Sequence, residues 1–251
     1  MKFIFGETVI SVNIANRRAL LAAAIRHFRA HQGFALATIN LDHLVKLHQS
    51  PAFRSAYAAQ DLIVADGNPI VWLSHLARRP VRLVPGSDVV IPLARAAARQ
   101  NVAVALVGST GSALAAAAEH LSLRAPGIRI VLEYAPAMGF DPTGPEAEKI
   151  LTRLNDLDVG LCFIALGAPK QEAFAAHGRT LAPHVGFASV GAGLDFLAGT
   201  QLRAPQWLRL IAMEWVWRMF SSPRRLIPRY WGCLMFLPSA IRNALNLRAG
   251  R

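Results

Sequence analysis

Residues 102–122 read VAVALVGSTGSALAAAAEHLS. A short apolar run ends in Gly108, four small residues follow, and then apolar positions recur at helical spacing. An apolar run this short, closed by a glycine, predicts a buried strand, and the longer segment after it predicts a helix. The same grammar repeats outward in both directions. Runs at 35–40, 62–65, 129–133, 161–166 and 187–190 are expected as further strands. Segments 17–32, 41–49, 87–99, 109–122, 145–154 and 169–176 are expected as helices. Strands alternating with helices predict a doubly wound, Rossmann-like α/β domain with a parallel sheet over residues 1–199, its ligands held at the carboxyl ends of the strands.

After Gly199 the pattern changes, and residues 200–251 are read as a separate appendage. Residues 201–251 hold nine arginines against one acid, Glu214, and four of the five tryptophans of the chain. Pro223, Pro228 and Pro238 are expected to cut this part into short helical pieces. Its most apolar stretch, 231–241, has eleven residues, whereas a spanning helix needs about 20. A basic, Trp-rich helical segment of this kind suits a bilayer surface, with Trp at headgroup level and Arg on phosphates. A basic hairpin packed on its own domain would use the same residues.

Composition closes off other classes. The 251 residues are 53% hydrophobic and 17% charged, against about 25% charged in a typical chain, which excludes a disordered protein. Cys162 and Cys233 are too few for a disulfide-stapled secreted domain. Gly6 and Glu7 interrupt the first apolar run, so no secretory signal is expected. There is no Walker A sequence and no nucleophile elbow, and the two cysteines and eight histidines lack zinc spacing. Asp156-Leu157-Asp158 precedes its strand, at the wrong end of the sheet for a ligand site, and is read as a loop that gives no ground for a metal.

Polar clusters gather where the strands end. Thr38-Ile39-Asn40-Leu41-Asp42-His43 follows one strand, and Ala65-Asp66-Gly67 closes the next. A carboxylate at a strand's carboxyl end can serve as a general base, and Asp-Gly also commonly starts a turn. Pro85-Gly86-Ser87-Asp88 opens a helix, where Ser87 or Asp88 fits a capping role. In Gly167-Ala168-Pro169-Lys170-Gln171-Glu172, a first helical turn and Lys170 can face an anion such as a diphosphate. Gly191 and Gly193 permit close backbone approach to a ligand, and Asp195 can accept from a ribose or base. The third glycine of a dinucleotide fingerprint is missing, which argues against an NAD-linked enzyme.

Taken in order, Thr38-x-Asn40-x-Asp42-His43, Ala65-Asp66-Gly67, Gly86-Ser87-Asp88, the 167–172 segment, the 191–199 segment and Arg203-Ala204-Pro205 resemble the WecG/TagA/CpsF family of bacterial glycosyltransferases, as does Glu214-Trp215 with Arg218. Ala212 and Met213 depart from the Gly and Leu expected there. The resemblance implies metal-independent, inverting transfer of a hexose or N-acetylhexosamine (N-acetylmannosamine, its uronic acid, or glucose). The donor would be a UDP-sugar and the acceptor a sugar carried on polyprenyl diphosphate. The product would be a β-linkage in exopolysaccharide or another cell-envelope polymer.

By the same resemblance Asp66 is the base, Thr38 and Asn40 position sugar or acceptor, and Gln171 bonds near the sugar. Gly67, Asp88 and Lys170 line the substrate site, while Gly191, Gly193 and Asp195 hold the uridine diphosphate. Arg203, Arg218, Arg224 and Arg225 of the appendage meet the leaving diphosphate, anionic lipid headgroups, or both. The implied partners are these two substrates and the inner face of the cytoplasmic membrane, with no cofactor, no nucleic acid, and room for a homo-oligomer. The competing reading is a non-catalytic, nucleotide-sensing protein whose basic tail binds nucleic acid or lipid.

Overall fold

The structure, a computed structural model, describes residues 1–201, 204–205, 208, 217 and 223–250. Arg203, Arg218 and the Glu214-Trp215 segment lie outside the described residues, and so does the side chain of Arg225.

Six strands form one parallel sheet: β3 (Phe34–Ile39), β4 (Leu62–Ala65), β5 (Ala103–Gly108), β6 (Arg129–Tyr134), β7 (Val159–Ala165) and β8 (Gly186–Ser189). Their order across the sheet is β4-β3-β8-β7-β5-β6. The predicted Rossmann-like class is therefore found, with each expected strand present. The reason lies in burial. Strands β3, β4, β5 and β8 are buried at every position, as a parallel sheet covered on both faces requires.

Side chains alternate between the two covers. Phe34 and Leu36 join the cluster of α1 (Arg17–Arg29), α5 (Gly86–Arg99), α6 (Gly111–Arg124) and α9 (Gly193–Leu197). Ala35 faces α7 (Pro145–Asp156) and α8 (Lys170–Leu181) on the other side. Ala37 and Ile39 meet α2 (Leu41–Gln49), α3 (Pro51–Ala58) and α4 (Asn68–Leu76).

Several elements were not legible as such. Residues 2–11 form an antiparallel hairpin, β1 (Lys2–Phe5) and β2 (Thr8–Ser11), turning at Gly6 with φ 61°. The glycine that interrupts the apolar run is its turn residue. Helix α3 starts where Ser50 accepts from the Phe53 N–H at 3.2 Å, with Pro51 in its first turn.

The expected fragmentation after Pro223 is overturned. Helix α10 (Pro223–Arg248) is continuous for 26 residues, through Pro228 and Pro238. Proline fixes φ near its helical value while deleting a hydrogen bond, at about 3 kcal/mol in a helix interior. Tertiary packing offsets that cost. Leu226, Cys233, Ala240 and Ala244 of α10 are buried, and the helix lies along α2, α4 and β1. Asn243 Nδ2 also donates to the Lys2 carbonyl at 3.1 Å. The boundary drawn at 199/200 falls just after α9, and α10 then returns to cover the first half of the chain.

Toward the other edge of the sheet, the end of β5 has no room for a side chain beside β7. Gly108 has φ 117°, and a Cβ there would stand 2.4 Å from the Ala165 carbonyl oxygen. Gly108→Ala should cost at least ~2 kcal/mol, since it adds both strain and overlap. Urea unfolding measures this, and an unchanged midpoint would contradict the close approach.

Candidate functional site at the strand ends

The carboxyl ends of β3, β4, β7 and β8 converge on one polar rim. Thr38, next to last in β3, is buried, and α5 begins directly beside it. A Cβ on Gly86 would lie 3.2 Å from the Val190 carbonyl oxygen and 3.3 Å from Thr38 Oγ1, so glycine eases the close seat of the start of α5 against both β3 and the end of β8. Asn40 follows β3, and its Oδ1 accepts the His43 N–H at 3.0 Å as the N-cap of α2. Its neighbour across the sheet is Asp66, whose N–H donates to the Ile39 carbonyl at 2.7 Å. Gly67, with φ 121°, frees the turn into α4 and stands against Asn40, its would-be Cβ 3.7 Å from Asn40 Cβ. Asp88 lies in the first turn of α5, half-buried. The structure thus brings Thr38, Asn40, Asp66, Gly67 and the start of α5 together.

A second group forms across β7 and β8. Gln171 is 2% exposed. Its Oε1 accepts the Gly191 N–H at 3.1 Å, and its Nε2 donates to Glu172 Oε1 at 2.8 Å. Both ends of this amide are therefore bound within the protein, and what it presents to the rim is the Gly191 backbone. Gly193 packs on α5, where a Cβ would stand 3.0 Å from Val90 Cγ2. The Asp195 carboxylate accepts from Ser109 Oγ, at the end of β5, and from Gln201 Nε2 at 3.0 Å.

Lys170 begins α8, half-buried. Its charge helps hold the Asp141 carboxyl below its usual range, after two hydrogen bonds from Thr143 that do so more strongly. Arg224 is exposed in the first turn of α10.

Sequence reasoning missed the floor under this rim. His43 Nδ1 lies 3.0 Å from Tyr57 Oη, both buried. Glu172 is fully buried, with Oε2 lacking a hydrogen-bond partner. Burial raises its carboxyl to about 7, against the opposing hydrogen bond from Gln171. Burial lowers His43 to about 3, and burial, then Glu172 and Asp66, push Tyr57 upward. The floor is thus mostly uncharged near neutrality beneath an ionisable rim. The signal was present as His43 and Glu172 within quoted motifs, but only tertiary contact shows them to be buried. Among the described residues no group of three or more His, Cys, Asp or Glu is arranged to hold a metal ion. A groove of about 370 Å³ between α1 and α5, edged by Arg17, Arg95 and Arg99, shares no residue with this rim.

A parallel α/β sheet with a carboxylate, glycine-freed backbone and helix starts at its carboxyl edge defines the doubly wound class of ligand-binding proteins. Comparison with known proteins narrows that class. The model of the Glycosyl transferase WecG/TagA/CpsF family matches residues 7–250, and the chain belongs to this family of glycosyltransferases. It is also similar to the N-acetylglucosaminyldiphosphoundecaprenol N-acetyl-beta-D-mannosaminyltransferase of Bacillus spizizenii. The two are 26% identical over 217 residues, which cover 86% of this chain and 80% of that protein.

The buried floor predicts a pH dependence of stability. Native Glu172 keeps its proton to about pH 7, while the unfolded chain loses it near 4.5. Its contribution is full below pH 4.5 and is lost as pH rises through 7. His43 acts in the opposite sense, costing stability as pH falls from 6.5 toward 3. Glu172→Gln removes only the first effect. Its melting temperature relative to wild type should therefore climb between about pH 5 and pH 8. A difference that stays constant with pH would contradict the buried acid.

Proposed function

We propose that this protein is an inverting glycosyltransferase that moves a hexose or N-acetylhexosamine from a UDP-sugar to a sugar carried on polyprenyl diphosphate. The observation that carries the reading is the placement of Asp66 beside Asn40 at the strand ends, in a chain similar to a transferase named for that kind of acceptor. N-acetylmannosamine, named in that relative, is the leading candidate sugar, with its uronic acid and glucose as the other choices.

In the proposed step Asp66 takes the proton of the acceptor hydroxyl as its oxygen bonds to the anomeric carbon. The bond from that carbon to the UDP oxygen breaks on the opposite face, so configuration inverts. Thr38 and Asn40 orient sugar and acceptor, beside Gly67 and Asp88. Gln171 acts through the Gly191 backbone it holds. Gly191, Gly193 and Asp195 take the uridine diphosphate, with Ser109 fixing the Asp195 carboxylate. The leaving charge falls to Lys170 and to the arginines 203, 218, 224 and 225, whose guanidinium forks suit phosphate oxygens. No metal is assigned a part.

The same reading places the protein on the inner face of the cytoplasmic membrane, making a cell-envelope polymer such as an exopolysaccharide. No described helix is long and apolar enough to cross a membrane. Helix α10 supports surface binding instead. Ile227, Trp231, Leu234, Met235, Ile241 and Leu245 are exposed, each within six residues of the next, on a different face from the buried Leu226, Cys233, Ala240 and Ala244. An exposed apolar stripe on a helix that carries arginines fits anionic lipid better than nucleic acid.

The test is UDP release from purified protein with a panel of UDP-sugars, a lipid-diphosphate-sugar acceptor and EDTA. Acceptor-dependent release should persist in EDTA and fall by ~10²–10⁴-fold in Asp66→Ala. Release that is abolished by EDTA, or that is undiminished in the variant, would overturn the metal-free mechanism or the assigned base.

A further inference from the structure

Beside the Asn243 contact, helix α10 makes an ion pair with α2 that the mechanism above does not use. Asp42, in the first turn of α2, lies 2.9 Å from Arg229 Nη2 on α10 and 2.9 Å from Lys46 Nζ one turn along its own helix. The Asp42 side chain is 11% exposed, and both cations are 33% exposed. Lys46 Nζ also donates to the Ala168 carbonyl at 3.2 Å. Ala168 lies three residues before Gln171, which in turn holds Gly191. Polar contacts, joined by the backbone from Ala168 to Gln171, therefore connect α10 to the candidate site.

We propose that Asp42 is a positioning residue, a latch whose carboxylate clamps α10 through Arg229 and, through Lys46, sets the loop 167–169 beside the site. The role rests on the glycosyl-transfer reading for its function, and on geometry alone for the clamp. Its logic is that of partly buried charge. Removing Asp42 leaves Arg229 and Lys46 without their shared counter-charge, and removing Arg229 breaks the ion pair between α10 and α2. The Arg229 Nε is buried without a hydrogen-bond partner, so this guanidinium leans on Asp42 for its neutralisation. An exposed surface pair would contribute little, because water and salt would screen it. Here α10 covers the contact. The latch also explains why Asp42, next to a capping Asn40 that already satisfies the helix start, stands in the Thr38–His43 motif.

The two cysteines provide a reporter. Cys233 is buried on α10, one turn beyond Arg229, whereas Cys162 is buried within β7. In the full-length protein, a thiol reagent should modify Cys233 at least tenfold faster in Asp42→Asn and in Arg229→Gln than in wild type, with Cys162 still protected. The pair of variants separates release of the helix from thiol chemistry. Burial raises the Cys233 thiol to about 11, with Asp42 adding to the rise and Arg229 opposing it. Losing Asp42 would make the thiol more reactive by charge alone, while losing Arg229 would make it less so. Faster labelling in both requires that α10 has lifted. Arg229→Lys, which keeps the charge, should restore much of the protection.

Transfer to the lipid-linked acceptor should fall tenfold or more in Asp42→Asn and Arg229→Gln, and should recover in Arg229→Lys. Unchanged Cys233 labelling in both variants would overturn the latch. Faster labelling with undiminished transfer would overturn its link to the site. If wild type shows no transfer, the failure belongs to the glycosyltransferase reading, and the labelling rates still decide the clamp.

Discussion

A parallel sheet buried on both faces has one place to put polar chemistry, and that constraint organises this protein. Helices cover the two faces of β3–β8, so water and ligand meet the sheet where the strands end and the chain turns into helices. Small residues then decide how near those turns can come. Gly86 lets α5 start against Thr38 and Val190, and Gly108 lets β5 close on Ala165. A side chain would crowd Thr38 and Val190 at the first point and overlap the Ala165 backbone at the second. The position of Asp66 relative to Asn40 is set more locally, by the parallel pairing of β3 with β4.

Beneath the rim, burial controls charge. Desolvation holds His43 neutral and keeps Glu172 partly protonated near neutrality, so neither needs an ionic partner at depth. Their polar atoms are instead turned to positioning: His43 against Tyr57, and Glu172 on the amide that holds Gly191. Charge is kept for the rim and for the clamp under α10. The division suits a reaction in which one carboxylate must start ionised to take a proton while a diphosphate departs, because fixed dipoles nearby reorganise little.

Much of this was legible in the sequence, for identifiable reasons. The buried strands were visible because a strand covered on both faces is apolar at every position, and β3, β4 and β5 are nearly so. Their helices were visible from apolar spacing, as in α2, whose limits coincide with those expected. Asp66, Asn40 and Thr38 could be named as strand-end candidates once the strands were taken as parallel, while their adjacency came from the strand order. Helix α10 could not be read, because proline is a local signal and the packing that carries the helix through Pro228 and Pro238 is not local. The burial of Glu172 and the pairing of Asp42 with Arg229 were hidden for the same reason. The residues of that pair are far apart in the chain, and no spacing rule connects them.

The central claim is that sugar moves in a single displacement, with one base at the strand ends and the nucleotide leaving from the opposite face. The most direct measurement is proton NMR of the newly formed glycosidic linkage in product isolated early in the reaction from a UDP-sugar of known anomeric configuration. A single displacement yields the configuration opposite to that of the donor, a β-linkage from an α-linked UDP-sugar. Retained configuration would require a second displacement or a front-face path, and would contradict the assignment of Asp66 as the base of an inverting step.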